Sequence, residues 1–162
     1  MRWRDFTAQC PELAGLATAR FRRDQLMLLG TLRADGSPRI SAVECDLVDG
    51  ELVTGMIYRS IKALDLQRDP RVTIHSWPPG KDNPDGDIKL YGRAVELTDP
   101  VAKQGYEDAI FARIRWRPTE PYHCFAFDLR SGGYLRFTGG TEEVWSWREG
   151  APLTRRAIAQ QP

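Results

Sequence analysis

The chain has 162 residues, 41% hydrophobic and 28% charged, with a formal net charge of +1. That is one domain's worth of ordinary globular composition, and the near-neutral balance argues against a dedicated nucleic-acid binder. No apolar run approaches the roughly 20 residues that cross a bilayer. Cys10, Cys45 and Cys124 are few, odd in number and far apart; they make no metal knuckle and fit a reducing cytoplasm. Arg2 and Arg4 precede acidic and polar residues rather than an apolar core, so no signal peptide is expected.

A helix is expected within residues 1–24, with Pro11 to Arg23 amphipathic and Leu13, Leu16, Ala17 and Phe21 facing inward. Leu26 to Leu32 reads as an apolar strand that ends at Asp35-Gly36, a hairpin turn. Pro38 to Val48 reads as one second strand, and Asp49-Gly50 turns it into Glu51–Gly55. A short helix follows Ser60 and stops at Pro70, then Arg71 to Trp77 is a fourth strand. Pro78 to Gly86 is a polar, Pro/Gly-rich loop expected to be mobile. Asp87 to Leu97 alternates as a fifth strand, and Asp99-Pro100 has the preferred N-cap and N1 residues for a helix to Ile114. His123 to Leu129 and Tyr134 to Phe137 are strand runs separated by a bend at Ser131-Gly132-Gly133, with a last strand at Val144–Trp147 and a fraying tail from Gly150. Six or seven short strands with tight turns, short helices and no βαβ alternation favour a mainly β chain closed into an antiparallel barrel, one domain over residues 1–162.

The charges around the Ser60 helix run against its dipole. Cations belong in the last turn and carboxylates in the first, yet Arg59 and Lys62 stand at the start while Asp65 and Asp69 lie towards the end. Each misplaced charge costs roughly 0.3–1 kcal/mol near a surface. An anion held by the free backbone N–H groups, the Ser60 hydroxyl and both cations removes that cost. The alternative is a solvated helix with accidental charge order.

No Gly-rich nucleotide loop, nucleophile elbow or His-Glu-x-x-His motif is present. His75 and His123 lie on different strands, and His123 and Cys124 point to opposite faces and cannot both reach one ion, so a metal catalyst is not expected. Glu44 and Asp46 share a strand face, which fits acid–base work or a charged rim. A phosphate-binding helix without a nucleophile cluster points to a phosphorylated cofactor that brings its own reactivity. The late arginines, from Arg113 to Arg156, could favour acidic ligands or form a solvated face.

Leu29-Gly30-Thr31-Leu32-Arg33-Ala34-Asp35-Gly36-Ser37-Pro38-Arg39-Ile40-Ser41, then Arg59-Ser60-Ile61-Lys62-Ala63, then Arg68-Asp69-Pro70-Arg71-Val72 resembles the pyridoxamine 5′-phosphate oxidase-like proteins. With the Gly92-Arg93-Ala94 strand and the Trp-containing last strand, the likeness covers roughly residues 20–148. The resemblance implies an FMN-binding split β-barrel oxidoreductase, hydride transfer between flavin and a small planar substrate, and a homodimer with cofactor sites at the subunit interface. It places the phosphate at Arg59, Ser60 and Lys62, and the flavin ring against Arg39, Ile40, Ser41 and Val43 with Thr54, Gly55 and Met56. It draws a partner contribution from near Ser76 and Trp77, and an aromatic closure from Trp145 or Trp147. The Trp147–Arg156 stretch departs from the Arg-Leu-x-Pro segment that binds the vitamin in true pyridoxamine phosphate oxidases, which argues against vitamin B6 synthesis. Glu44 would repel an anionic reduced flavin. Relatives that use the deazaflavin coenzyme F-420 would enlist the arginines at 113–117 or 155–156 for its acidic tail. A non-catalytic flavin- or haem-carrying module would enlist His75 for haem.

Overall fold

The computed structural model describes residues 1–78 and 84–159. The expected mobile loop therefore lies largely outside the described residues. Thirteen elements occur among those described: α1 (Trp3–Gln9), α2 (Pro11–Asp24), β1 (Leu26–Leu32), β2 (Pro38–Glu44), β3 (Asp46–Val48), β4 (Glu51–Ile57), α3 (Ile61–Arg68), β5 (Arg71–Ser76), β6 (Asp87–Glu96), α4 (Pro100–Ile114), β7 (Tyr122–Thr138), β8 (Thr141–Arg148) and β9 (Thr154–Ala159). All strand pairs are antiparallel, in the order β2-β1-β5-β6-β7-β4-β3, with β8 and β9 continuing from β7. Because β2 runs into β3 through Cys45, the two ends of that seven-strand path are joined by the chain itself. This is an antiparallel split β-barrel.

Alternation explains what fills it. Met27, Leu29 and Thr31 of β1, Val72 and Ile74 of β5, Ile88 and Leu90 of β6, and Phe125, Phe127 and Leu129 of β7 are buried on one face of their strands. α1 and α2 close one end of this core through Phe6, Leu13 and Ala17. A second, smaller core forms where α4 lays Tyr106 and Ile110 against Val53, Tyr122, Cys124 and Ala126 on the opposite face of β4 and β7.

Four boundaries differ from the sequence reading. The N-terminal segment is two helices rather than one, broken where Pro11, which has no N–H to donate, begins α2. The second strand is interrupted at Cys45, which is buried and donates its N–H to Gln25 O at 3.1 Å instead of joining a ladder. The two late strand runs are one 17-residue strand; Gly132 and Gly133 let it pass close to its neighbours, and a register shift at Tyr91/Gly92 of β6 absorbs the irregularity. Residues 154–159 of the expected fraying tail pair with β8 as an exposed edge strand.

Candidate functional site

α3 begins at a strained junction. Arg59 adopts a left-handed φ of 56°, Ser60 is the N-cap with extended backbone, and the first turn holds no acid. The Ser60 hydroxyl makes no capping bond; its oxygen is buried and without a partner among the described residues. A buried orphan hydroxyl costs roughly 1–3 kcal/mol unless something binds it. Ser60 C=O already accepts from Leu64 N–H, so the amides of Ile61, Lys62 and Ala63 are first-turn donors without helical acceptors. Among the described residues neither Arg59 nor Lys62 is paired with a carboxylate.

The acids at the other end are occupied. Buried Asp65 accepts from Arg39 Nε at 2.7 Å, Arg68 Nη2 at 3.0 Å and the Thr31 hydroxyl at 3.1 Å. Burial pushes its carboxyl up, but the hydrogen bonds from Arg39, Arg68 and Thr31 prevail and hold it below the usual range. Asp69 is held by Arg71, whose hydrogen bonds bring its pKa to about 2.

Lys62 reaches into a cleft of about 540 Å³. Val43, Gly55 and Met56 form its floor, Tyr58 and Ile57 one wall, and Ile114, Trp116, Pro118 and Thr119 the other. Gly55 is required there: a Cβ would lie 2.1 Å from the hydroxyl of Tyr106, which packs behind the floor. Burial drives the Tyr106 phenol well above its ordinary pKa, so it stays neutral. Glu44 lines the rim, and its charge is met by Arg113 from α4 at 2.8 Å; the same guanidinium reaches Asp46 at 3.2 Å. Burial raises the Asp46 carboxyl, with Arg113 opposing it.

The sequence-predicted residues thus separate. Val43, Gly55, Met56 and Lys62 meet at this cleft, with Ser60 and Arg59 at the adjoining helix start. Thr54 is buried and its hydroxyl donates to Glu44 O at 2.7 Å, so it braces the rim. Arg39 and Ile40 line a different cleft of about 600 Å³ on the outer face of β1, β2, β5 and β6, together with Leu28, His75 and Tyr91. Ser41 lies on the same strand, half-buried, and lines neither cleft. Ser76 is fully buried within the chain and its hydroxyl accepts from Ile88 N–H at 3.1 Å; Trp77 C=O accepts from Arg20. Trp147 is in the core against Phe6, and Trp145 packs on Tyr134 under Arg155, so neither closes this cleft within the chain.

Sequence reasoning missed Tyr58 and Trp116. Tyr58 sits one residue before the quoted Arg59-Ser60 motif, and Trp116 is an exposed aromatic amid arginines, a signal in itself. Sequence reasoning also gives no sign that His123 is buried with its Nδ1 2.5 Å from Glu96 Oε1.

Among the described residues no group of His, Cys, Asp and Glu could hold a metal ion, and no helix is long and apolar enough to cross a membrane. Fold and site together define a split barrel with an anion-receptive helix start beside an aromatic-walled cleft. Residues 15–142 match the family model of pyridoxamine 5′-phosphate oxidase, and the chain belongs to that family. No curated protein matches it. Solved structures share the fold at low identity. A pyridoxamine 5′-phosphate oxidase-related, FMN-binding protein from Nostoc punctiforme is 18% identical, with a TM-score of 0.64 over 91% of this chain and 94% of that one. A protein related to general stress protein 26 from Clostridium acetobutylicum is 17% identical, with a TM-score of 0.62 over 90% and 95%. A haem-binding protein from Mycobacterium smegmatis is 18% identical, with a TM-score of 0.65 over 92% of this chain and 58% of that one.

Proposed function

We propose that the chain is a flavin-dependent oxidoreductase that binds FMN in the Lys62 cleft and passes hydride between flavin and a small planar substrate. The observation that carries this reading is the helix start: a buried, unpartnered Ser60 hydroxyl between two cations without carboxylate partners, one of which, Lys62, lines a cleft of about 540 Å³. Ser60, Lys62, Arg59 and the first-turn amides of α3 would hold the phosphate. Val43, Gly55 and Met56 would face the ring, and the bound flavin supplies reversible two-electron chemistry. The chain's own part is positioning and water exclusion, through Tyr58, Ile114 and Trp116. Arg113 lessens the objection raised by Glu44, because its guanidinium, shared with Asp46, offsets part of the rim's negative charge.

FMN is favoured over the deazaflavin coenzyme because three of the five arginines an acidic tail would use are engaged, while Arg115 and Arg156 make no ion pair among the described residues. Arg113 binds Glu44 and Asp46, Arg117 binds Asp108, and Arg155 binds Glu12. The haem-carrying alternative would use His75, which lines the outer cleft with its Nδ1 2.7 Å from Ser76 O, the kind of contact that orients a ligating imidazole, and a haem-binding barrel has the same fold. A homodimer is supported by that outer face, where Ile40 is 74% exposed and Tyr91 43% exposed beside Leu28 and Leu32; sedimentation velocity checks it.

Titration with FMN, followed by flavin fluorescence, tests the assignment. Micromolar binding to the wild type, weakened by Lys62→Ala, supports it. Failure of the wild type to bind FMN, or unchanged binding by the variant, overturns it.

A further inference from the structure

Two sets of contacts fix α3, and they hold different parts of it. Asp65 ties its far end to β1 and β2. The other set closes a ring. Gln67 Nε2 donates to Glu96 Oε2 at 2.9 Å, and Glu96 Oε1 lies 2.5 Å from His123 Nδ1. The His123 imidazole in turn stacks on Tyr58, with centroids 5.3 Å apart and planes 17° apart. Tyr58 is followed by Arg59 and Ser60, and the helix itself leads back to Gln67. A side-chain bridge from β6 and β7 thus joins the two ends of residues 58–67.

The bridge has a defined polarity. Burial pushes the Glu96 carboxyl up, but the hydrogen bonds from Gln67 and His123 prevail and hold it below the usual range. An ionised Glu96 only accepts, so the His123 nitrogen facing it carries a proton. His123 is 7% exposed and its Nε2 has no partner among the described residues, so Glu96 and the flanking rings of Tyr58 and Phe125 set its plane. Tyr58 is half exposed and leads straight into Arg59, whose φ of 56° persists in a non-glycine residue only when its surroundings hold it. None of Gln67, Glu96 and His123 lines the cleft; they stand behind the junction.

We propose that His123 and Glu96 are positioning residues for the phosphate site: with Gln67 they hold Tyr58, and so fix Arg59 and Ser60 in the arrangement that receives a phosphate. The proposal deepens the flavin reading and rests on it in one respect, that the phosphate is the cofactor's. Donors arranged in advance lose less conformational entropy on binding than mobile ones. Loosening the bridge therefore costs phosphate affinity and leaves the cleft that takes the flavin ring intact.

The test is a double-mutant cycle on FMN and riboflavin affinity, read by flavin fluorescence. Gln67→Ala cuts the bridge at an exposed residue, and His123→Phe keeps a ring against Tyr58 while removing the Nδ1 donor. Each should weaken FMN about three- to tenfold. The double variant should lose no more than the larger single loss, because both side chains act through Glu96. Riboflavin, which has the ring without the phosphate, should stay within about twofold. Circular dichroism melts check folding, and Gln67→Ala decides alone where His123→Phe does not fold. Unchanged FMN affinity in Gln67→Ala overturns the proposal. So does a double loss equal to the product of the single losses, or a riboflavin loss as large as that of FMN. A wild type that takes no FMN sinks the flavin reading, and inorganic phosphate, followed by the amide resonances of Ile61, Lys62 and Ala63, then decides the bridge. Weaker phosphate binding in Gln67→Ala upholds it; no binding, or no change, sinks it too.

Discussion

At the end of α3, Asp65 is wrapped by Thr31, Arg39 and Arg68, and Asp69 is held by Arg71. At its start, Arg59 and Lys62 meet no carboxylate among the described residues, and the Ser60 hydroxyl is buried alone. The reversed charge order therefore has two causes. The acids are consumed in joining α3 to β1, β2 and β5, and need no ligand to explain them. The cations have no such structural employment, so they are where binding should be sought. A charge that contradicts the helix dipole points to function only after its partners have been found.

Substitutions at the two ends should separate cleanly. Asp65→Ala removes a buried carboxylate with three donors and should lower the unfolding free energy by about 3 kcal/mol, read by urea denaturation, with FMN affinity within a factor of two. Lys62→Ala should do the reverse: about ten- to thirtyfold weaker FMN binding, or ~1.4–2 kcal/mol, with stability within about 0.5 kcal/mol. Equal losses of stability and affinity in either variant would break the contrast.

Acid titration sharpens it. An unfolded aspartate titrates near ~3.9, and the folded Asp65 carboxyl lies below the usual range. Its contribution is thus fully present above about pH 4 and is lost as pH falls through the lower folded value. Wild-type stability should drop over that acid window, and the Asp65→Ala curve should be flatter there. The smallest effect is expected at Arg59, which is held at positive φ. Arg59→Gly should raise stability by about 0.5 kcal/mol by relieving the backbone while weakening FMN severalfold, measured on the same two assays.

The architecture was largely legible because its punctuation is local. Asp35-Gly36 and Asp49-Gly50 make the two predicted turns with positive φ at Gly36, Asp49 and Gly50, and the Asp99 carboxylate caps α4 by accepting from Ala102 N–H at 3.0 Å. What escaped depends on contacts far along the chain. The break at Cys45 is set by Gln25 O, and β9 is ordered by pairing with β8. The cleft was half legible. Its floor and its lysine follow from strand and helix order, whereas Trp116 enters only after α4 has folded across β4 and β7. The His123–Glu96 contact joins adjacent strands 27 residues apart, a pairing that periodicity cannot reveal.

The contact between Gly55 and Tyr106 has a consequence for how this barrel can diverge. The phenol fills the space that any side chain at position 55 would claim, so the floor and the helix behind it form one lock. A relative that enlarges residue 55 must shrink residue 106 in the same lineage. Variation at those two positions should therefore appear as coupled pairs, and an Ala at 55 should become tolerable only beside a small residue at 106.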